Sequence, residues 1–246
     1  MAELIVSQHS DVDALVAAAT ERFVDIVAAA QAERGSACVA LTGGGAGIAM
    51  LQRLRDHSDA IDWANVDIYW GDDRFLPADD PERNEKQARE ALLNFVPVDP
   101  NRVHPMAPSD GEFGDDIEAA TAAYAEILRA AAGDDGVPEF DVHLLGMGPE
   151  AHINSLFPHT AAVREESAYV VAVTDSPKPP PTRITLTLPA VRRAKQVWLL
   201  VSGAGKAEAT AACLNGASSD DWPAAGATGS VATVWFVDDA AASALP

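Results

Sequence analysis

Cysteine, long apolar runs and positive charge are all scarce in this chain of 246 residues, and each scarcity excludes a class of protein. The two cysteines, Cys38 and Cys213, are too few for a disulfide framework, so we expect buried thiols in a reducing compartment. No apolar run reaches the roughly 18 residues of a membrane span, and residues 1–6 lack the basic and apolar regions of a signal peptide. A cytoplasmic protein without membrane contact is therefore the expectation.

The acidic residues outnumber the basic ones. Lys and Arg together number 17 against 37 Asp and Glu, which gives a formal net charge of −20. Such a charge repels a nucleic acid or an anionic membrane, so neither is predicted as a partner, and its simplest meaning is solubility. We expect a monomer. An anionic ligand of this protein would need a local cluster of cations and backbone amides.

The apolar residues alternate between the periods of strands and of helices. Strands are predicted at residues 1–6, 37–41, 66–70, 142–145, 169–173, 197–201 and 233–237. Helices are predicted at 12–27, capped by Ser10 or Asp11, and at 48–55, 85–95, 117–131 and 206–214, with surface loops at 79–83, 109–116 and 176–181. This alternation predicts an α/β fold with a mostly parallel sheet, helices on both faces and a single domain spanning 1–246.

Ligands of such sheets bind beyond the carboxyl ends of the strands, and four predicted strands end in unusual chemistry. The first is followed by Gly43, Gly44 and Gly45 and then by a helix. Consecutive glycines allow backbone amides to converge on an anion at a helix N-terminus. The segment is neither a dinucleotide fingerprint nor a Walker loop, and a plain tight turn is the alternative.

The second predicted strand is followed by two carboxylates and an arginine, Asp72, Asp73 and Arg74. Asn84 lies ten residues after the arginine. The arginine fork suits a phosphate or an oxyanion. A capped turn with ion pairs is the alternative, and it is the commoner meaning of any single Asp-Arg pair.

The third strand end runs into a Gly-x-Gly turn and then presents Glu150 and His152, followed by Asn154. Histidine can take a proton from water at neutral pH, which suits it to general base catalysis. A lone histidine is more often structural, but the position after a strand and the neighbouring glycines favour a catalytic one. The histidines show no zinc-ligand spacing beside the cysteines, so no metal is expected.

Two further cations follow at Arg183, in a proline-rich segment, and at Lys206, after a glycine turn. Either alone is most simply a solvated surface charge. In a chain this acidic, however, three cations at or near strand ends, Arg74 included, indicate an anion site.

Together these blocks resemble the motifs of the 6-phosphogluconolactonase family, in family order and over roughly residues 37–237. The matching blocks are residues 43–45, 70–75, 80–84, 145–158, the segment around Arg183 and 205–207. The resemblance implies a Rossmann-like α/β fold shared with amino-sugar-phosphate isomerases. It also implies no metal or nucleotide cofactor, and a role in the oxidative pentose phosphate pathway.

The substrate that the resemblance implies is the phosphorylated sugar lactone 6-phosphoglucono-1,5-lactone. We assign His152 as general base toward water, Glu150 as the group that orients its imidazole, and Arg74 to the developing oxyanion. Asp72 is expected among the catalytic residues, with a less certain role.

The phosphate is expected on the amides of residues 43–45, with charge supplied by Arg183 and Lys206. Asn84 and Asn154 complete the expected substrate-binding set. Arg74 and Arg183 could exchange duties between phosphate and oxyanion.

One departure from the family pattern stands beside the histidine. The family reads Gly-x-Asp-Gly-His where this chain has Gly148-Pro149-Glu150-Ala151-His152. The acid is one methylene longer, and alanine at a left-handed position would be strained by roughly 1 kcal/mol or more. Two alternatives stay open. One is an amino-sugar-6-phosphate isomerase or deaminase, which would use the same phosphate site with a carboxylate base, and the other is a sugar-phosphate-binding protein impaired by the change at Glu150 and Ala151.

Overall fold

The computed structural model of the chain describes residues 2–132 and 135–245. The strands are Glu3–His9 (β1), Ala37–Leu41 (β2), Val66–Trp70 (β3), Asp72–Arg74 (β4), Val142–Gly146 (β5), Val170–Val173 (β6), Arg183–Leu186 (β7), Gln196–Val201 (β8) and Ala232–Asp238 (β9). The helices are Val12–Arg34 (α1), Gly45–Leu54 (α2), Asn84–Ala88 (α3), Ile117–Ala132 (α4), Leu188–Val191 (α5) and Ala207–Leu214 (α6). A π-helical turn, Arg89–Leu93, continues α3.

Helix α1 shows how local sequence sets these bounds. The Asp11 side chain accepts a hydrogen bond from the amide of Ala14 at 2.9 Å, which confirms one of the two predicted caps. Gly35 ends the helix in the left-handed conformation at φ 79°. Within the described residues, no helix has the combination of length and apolar character that crossing a bilayer demands.

The central sheet has six parallel strands in the order β1-β9-β8-β5-β2-β3. The chain runs outward from β2 to β3 and then returns to place β5 on the other side of β2. Such a reversal opens a crevice at the carboxyl ends of the two strands. Here the amide of Gly146 donates to Thr42 Oγ1 across that crevice at 3.1 Å.

Both faces of this sheet are covered, as predicted. Trp198 and Leu200 of β8 pack on one side with residues of α1 and α2, while Leu199 packs on the other side with residues of α4 and α6. Near-continuous apolar strands are what a parallel sheet buried on both faces requires.

A second, antiparallel sheet has the order β4-β7-β6. The predicted strand 169–173 is confirmed as β6 but belongs to this sheet, because a short apolar run does not reveal its pairing partner. Strands β4 and β7 were not predicted. Their pairing places Arg74 opposite Arg183, and so joins two of the motif segments side by side.

Candidate active site

A cavity of about 160 Å³ lies beyond the carboxyl ends of β2, β3, β5 and β8. All of the predicted site residues line it except Glu150, which lies behind His152. The lining residues from that set are Gly43, Gly44, Gly45, Asp72, Arg74, Asn84, His152, Asn154, Arg183 and Lys206. Segments that are far apart in the chain thus converge as expected, and the roles of their side chains stay predictions.

The glycine turn presents the first turn of α2 to this cavity. Gly44 holds φ 83°, and no side chain caps the helix, so the first amides of α2 have no capping partner among the described residues. Gly43 is needed for close approach, because a Cβ there would lie 2.2 Å from Asn84 Oδ1. The turn therefore fits an anion held by backbone amides.

Asp72 is fixed by hydrogen bonds from two other segments. Ser155 Oγ donates to its Oδ2 at 2.7 Å, and Asn84 Nδ2 donates to its Oδ1 at 3.1 Å. Asn84 Nδ2 also donates to the Asp72 carbonyl at 2.9 Å, which leaves Asn84 Oδ1 buried without a partner in the described residues. These contacts tie β4, α3 and the loop after β5 together around one carboxylate.

Asp73 and Arg83 form an ion pair of 3.2 Å in which both side chains are only 2% exposed. The Asp73 carboxylate also accepts from the amides of Arg74, Asn84 and Glu85, and so organises the start of α3. The prediction of a surface loop at 79–83 is wrong for Arg83, because a charged side chain lies in the interior only with such a partner.

His152 is oriented by two neighbours. Its Nδ1 lies 3.0 Å from Glu150 Oε1, so Nδ1 carries the proton and Nε2 keeps its lone pair. The ring of Phe157 stacks on the imidazole with centroids 4.4 Å apart. Burial lowers the pKa of His152, Glu150 opposes this shift, and the charge of Lys178 adds to it. Nε2 of His152 is thereby kept available as a base near neutral pH.

The turn before the histidine is strained in one place. Ala151 takes φ 59° with its side chain fully buried, so the left-handed conformation on which the predicted strain depends is present. Gly148 serves a different purpose, because a Cβ there would lie 2.1 Å from His152 Nδ1. The glycine makes room for the imidazole beside the cavity.

Arg74 and Arg183 face each other across the β4–β7 pair, and like charges at paired positions repel. Arg183 is 4% exposed and uses most of its donors on backbone: Nε donates to the Pro180 carbonyl at 3.0 Å and Nη2 to the Lys178 carbonyl at 2.9 Å. Arg74 Nε is buried without a partner in the described residues. Two arginines held together in this way suit a bound anion.

Lys206 ends a short 3₁₀ turn that follows Gly203. The Asp238 carboxylate anchors this turn by accepting from the Gly203 amide at 3.0 Å and from Ser202 Oγ. Burial lowers the pKa of Lys206, and Asp238 opposes that shift. Among the described residues the ammonium forms no ion pair, which leaves it free to bind an anion in the cavity.

Three residues near the site were not singled out from the sequence: Phe157, Lys178 and His143. Phe157 packs on the base, and Lys178 forms an ion pair with Glu150 at 2.7 Å. His143 is fully buried, which lowers its pKa to about 3, so it is neutral at ordinary pH. It lies near Asn154, whose side-chain oxygen and nitrogen are both buried without partners in the described residues.

Residues 2–132 and 135–245 contain no group of three His, Cys, Asp or Glu side chains that could hold a metal ion.

The sheet, its strand-order reversal and this cavity define an α/β protein of the Rossmann-like type with a cavity at the carboxyl ends of its strands. Residues 10–235 match the family described as glucosamine-6-phosphate isomerases/6-phosphogluconolactonase, and the chain belongs to this family. It is 59% identical to the 6-phosphogluconolactonase of Mycobacterium tuberculosis over 237 residues, which are 96% of each chain.

The 6-phosphogluconolactonase of Streptomyces coelicolor is 53% identical over 243 residues, which cover 97% of this chain and 93% of that one. The solved 6-phosphogluconolactonase of Trypanosoma brucei superposes with a TM-score of 0.84 at 26% identity and covers 100% of both chains. The predicted family, the α/β fold and the assignment as an enzyme are thereby confirmed.

Proposed function

We propose that this enzyme hydrolyses 6-phospho-D-glucono-1,5-lactone to 6-phospho-D-gluconate in the oxidative pentose phosphate pathway. The observation that carries the proposal is the imidazole of His152, which Glu150 orients at 3.0 Å beside a cavity that also holds the glycine turn and three cations. The relatives named 6-phosphogluconolactonase at 59% and 53% identity support the same reaction.

The chemistry starts with water. Nε2 of His152 takes a proton as the water oxygen attacks the lactone carbonyl, and a positioned base of this kind contributes about 10²–10⁴-fold. The tetrahedral oxyanion is stabilised by an arginine, Arg74 in our assignment. The ring oxygen then leaves and takes the proton from the imidazolium, which returns His152 to its starting state. Glu150 stabilises the imidazolium in between.

The phosphate is held at a distance from this chemistry. The amides at the start of α2 and the ammonium of Lys206 provide most of the contacts to the phosphate. Arg183 contributes less, because its Nε and Nη2 already donate to carbonyls of its own loop. Binding energy from the phosphate then positions the carbonyl next to His152. No metal or nucleotide takes part in this mechanism.

The deciding experiment measures lactone hydrolysis above the uncatalysed rate, coupled to 6-phosphogluconate dehydrogenase. His152→Ala is expected to lower kcat by about 10²-fold or more. His159→Ala is the matched control, because that histidine is 61% exposed and does not line the cavity. Equal activity in wild type and His152→Ala would remove the assigned base.

Two further measurements distinguish the lactonase from the isomerase or deaminase and from the impaired binding protein. Strong ammonia release from glucosamine 6-phosphate would favour the isomerase or deaminase. If wild type binds 6-phosphogluconate but hydrolyses nothing, and the double variant Glu150→Asp, Ala151→Gly turns over, the protein is an impaired binder.

A further inference from the structure

The proline-rich loop that precedes β7 brings a lysine to the group that orients the base. Lys178 Nζ lies 2.7 Å from Glu150 Oε1 and 2.9 Å from Oε2. The same Oε1 is the atom 3.0 Å from Nδ1 of His152. Lysine, carboxylate and imidazole therefore form one continuous chain of contacts that ends at the cavity.

The backbone of this lysine is anchored by hydrogen bonds from a neighbouring arginine. Buried Arg183 donates through Nη2 to the carbonyls of Lys178 and Pro179, at 2.9 and 3.2 Å, and through Nε to that of Pro180. The amide of Ser176 closes the loop by donating to the Pro181 carbonyl at 3.0 Å. These hydrogen bonds fix the point from which the lysine side chain reaches Glu150.

The side chain of Glu150 needs a second contact to be ordered. Glu150 is a third exposed and has one more rotatable bond than an aspartate in its place, so a single contact to the imidazole orders it poorly. We propose that Lys178 is a positioning residue of the lactone hydrolysis, which orders the carboxylate of Glu150 beside His152 and places a positive charge next to that pair. The proposal rests on the function proposed above.

The charges around the imidazole determine the expected sign. Glu150 on its own turn and Asp72 of β4 favour the imidazolium, while burial and Lys178 oppose it. Arg74, Arg183 and Lys206 line the same cavity and stay in place when Lys178 is replaced. Burial disfavours the charged carboxyl of Glu150, but the hydrogen bond from Lys178 lowers its pKa overall. Glu150 is two residues from His152 on the same turn, so its carboxylate stays beside the imidazole when the lysine is removed. Loss of the lysine charge therefore raises the pKa of His152.

The test compares the pH dependence of kcat/KM, from about pH 5 to about pH 8, in wild type, Lys178→Met and Lys178→Arg. The base must be neutral, so activity falls below its pKa, and a raised pKa moves this acid limb to higher pH. We expect a shift of about 0.5–1 pH unit in Lys178→Met, seen as a fall of about threefold to tenfold on the limb. Lys178→Arg should keep the wild-type profile.

Lys195→Met is the matched control. Lys195 also forms ion pairs, with Glu139 and Asp141, and it does not line the cavity. Its replacement should leave the acid limb where it is. A superimposable profile in Lys178→Met would overturn the proposal, and so would a fall that is equal at every pH or a rise in KM alone.

A second measurement needs no activity. Titration of the His152 ring resonances by NMR, assigned with His152→Ala, should show the same upward shift in Lys178→Met. An unshifted titration overturns the role of Lys178 whether or not the lactone is hydrolysed. A shifted titration in a protein that lacks lactonase activity would instead refute the proposed function and leave the link between Lys178 and His152 standing.

Discussion

Ala151 holds a left-handed backbone conformation at φ 59°, and its methyl group is fully buried. Replacement by glycine relieves strain of about 1–2 kcal/mol. The same change loses a buried methyl group of about 0.8 kcal/mol and adds chain entropy to the unfolded state of about 0.5–1 kcal/mol. We therefore expect Ala151→Gly to stay within about 1 kcal/mol of wild type in urea unfolding.

Ala19→Gly provides the contrast, because Ala19 is equally buried but lies in the middle of α1. Its loss combines helix propensity of about 1 kcal/mol with the same methyl group, or about 2 kcal/mol in total. If Ala151→Gly destabilised the protein as much as Ala19→Gly does, the strain at residue 151 would be negligible.

Single residues of the site differ in how far the sequence predicts them. His152 and Glu150 were found because a strand, two glycines and two titratable groups follow in order. Lys178 was not, because its contact to Glu150 joins segments 28 residues apart and depends on the path of the loop. The sequence also leaves open whether Arg74 or Arg183 meets the phosphate, since that choice depends on which donors the loop carbonyls occupy.

Among the elements, α3 is the one whose start depends most on a buried charge. Arg83→Met would leave the Asp73 carboxylate without its cation, at a site where both side chains are 2% exposed. Removing one partner of such a pair costs about 3–5 kcal/mol, and we expect a loss of that size in the free energy of unfolding. Activity should fall as well, because Asp73 fixes the amide of Asn84 at 2.6 Å.

The control for this change is Arg129→Met on α4, where the ion pair with Glu126 leaves the side chains 63% and 64% exposed. Its effect should stay within about 0.5 kcal/mol, as for most surface pairs. Comparable losses in the two variants would show that the buried pair contributes no more than an exposed one.

The elements of the central sheet were predicted well, and those of the small sheet were not. Strands β2 and β3 end where their apolar runs end, because parallel strands covered on both faces are mostly apolar, with the half-buried Asp67 of β3 as the exception. Strand β4 consists of Asp72, Asp73 and Arg74, and no period-2 apolar pattern marks it. Its pairing with β7 is a long-range contact, which no local propensity reveals.

At the scale of the whole molecule, the two sheets share one apolar cluster. Ile184 and Leu186 of β7 pack in the same cluster as Leu145 of β5 and Leu199 of β8. Because the small sheet has no separate core in the described residues, we propose that the chain folds as one domain. This shared core also explains why β4 and β7 can hold Asp72 and Arg183 firmly beside the cavity.

The net charge of −20 acts on the molecule as a whole. Like charges repel more strongly in the compact state than in the unfolded one, and salt screens them over a Debye length of about 8 Å at physiological ionic strength. We therefore expect the free energy of unfolding to rise, by on the order of 1 kcal/mol, between about 0.02 M and about 0.5 M sodium chloride. Urea titrations at each salt concentration measure it, with potassium chloride as the control for ion-specific effects. A free energy of unfolding that falls with salt would mean that attractive ion pairs outweigh the repulsion of the acidic surface.

The repulsion between acidic surfaces also opposes self-association, so sedimentation across this range of salt should show one species of 25.8 kDa, the mass of a single chain. A dimer at low salt would mean that a contact between chains overcomes the repulsion.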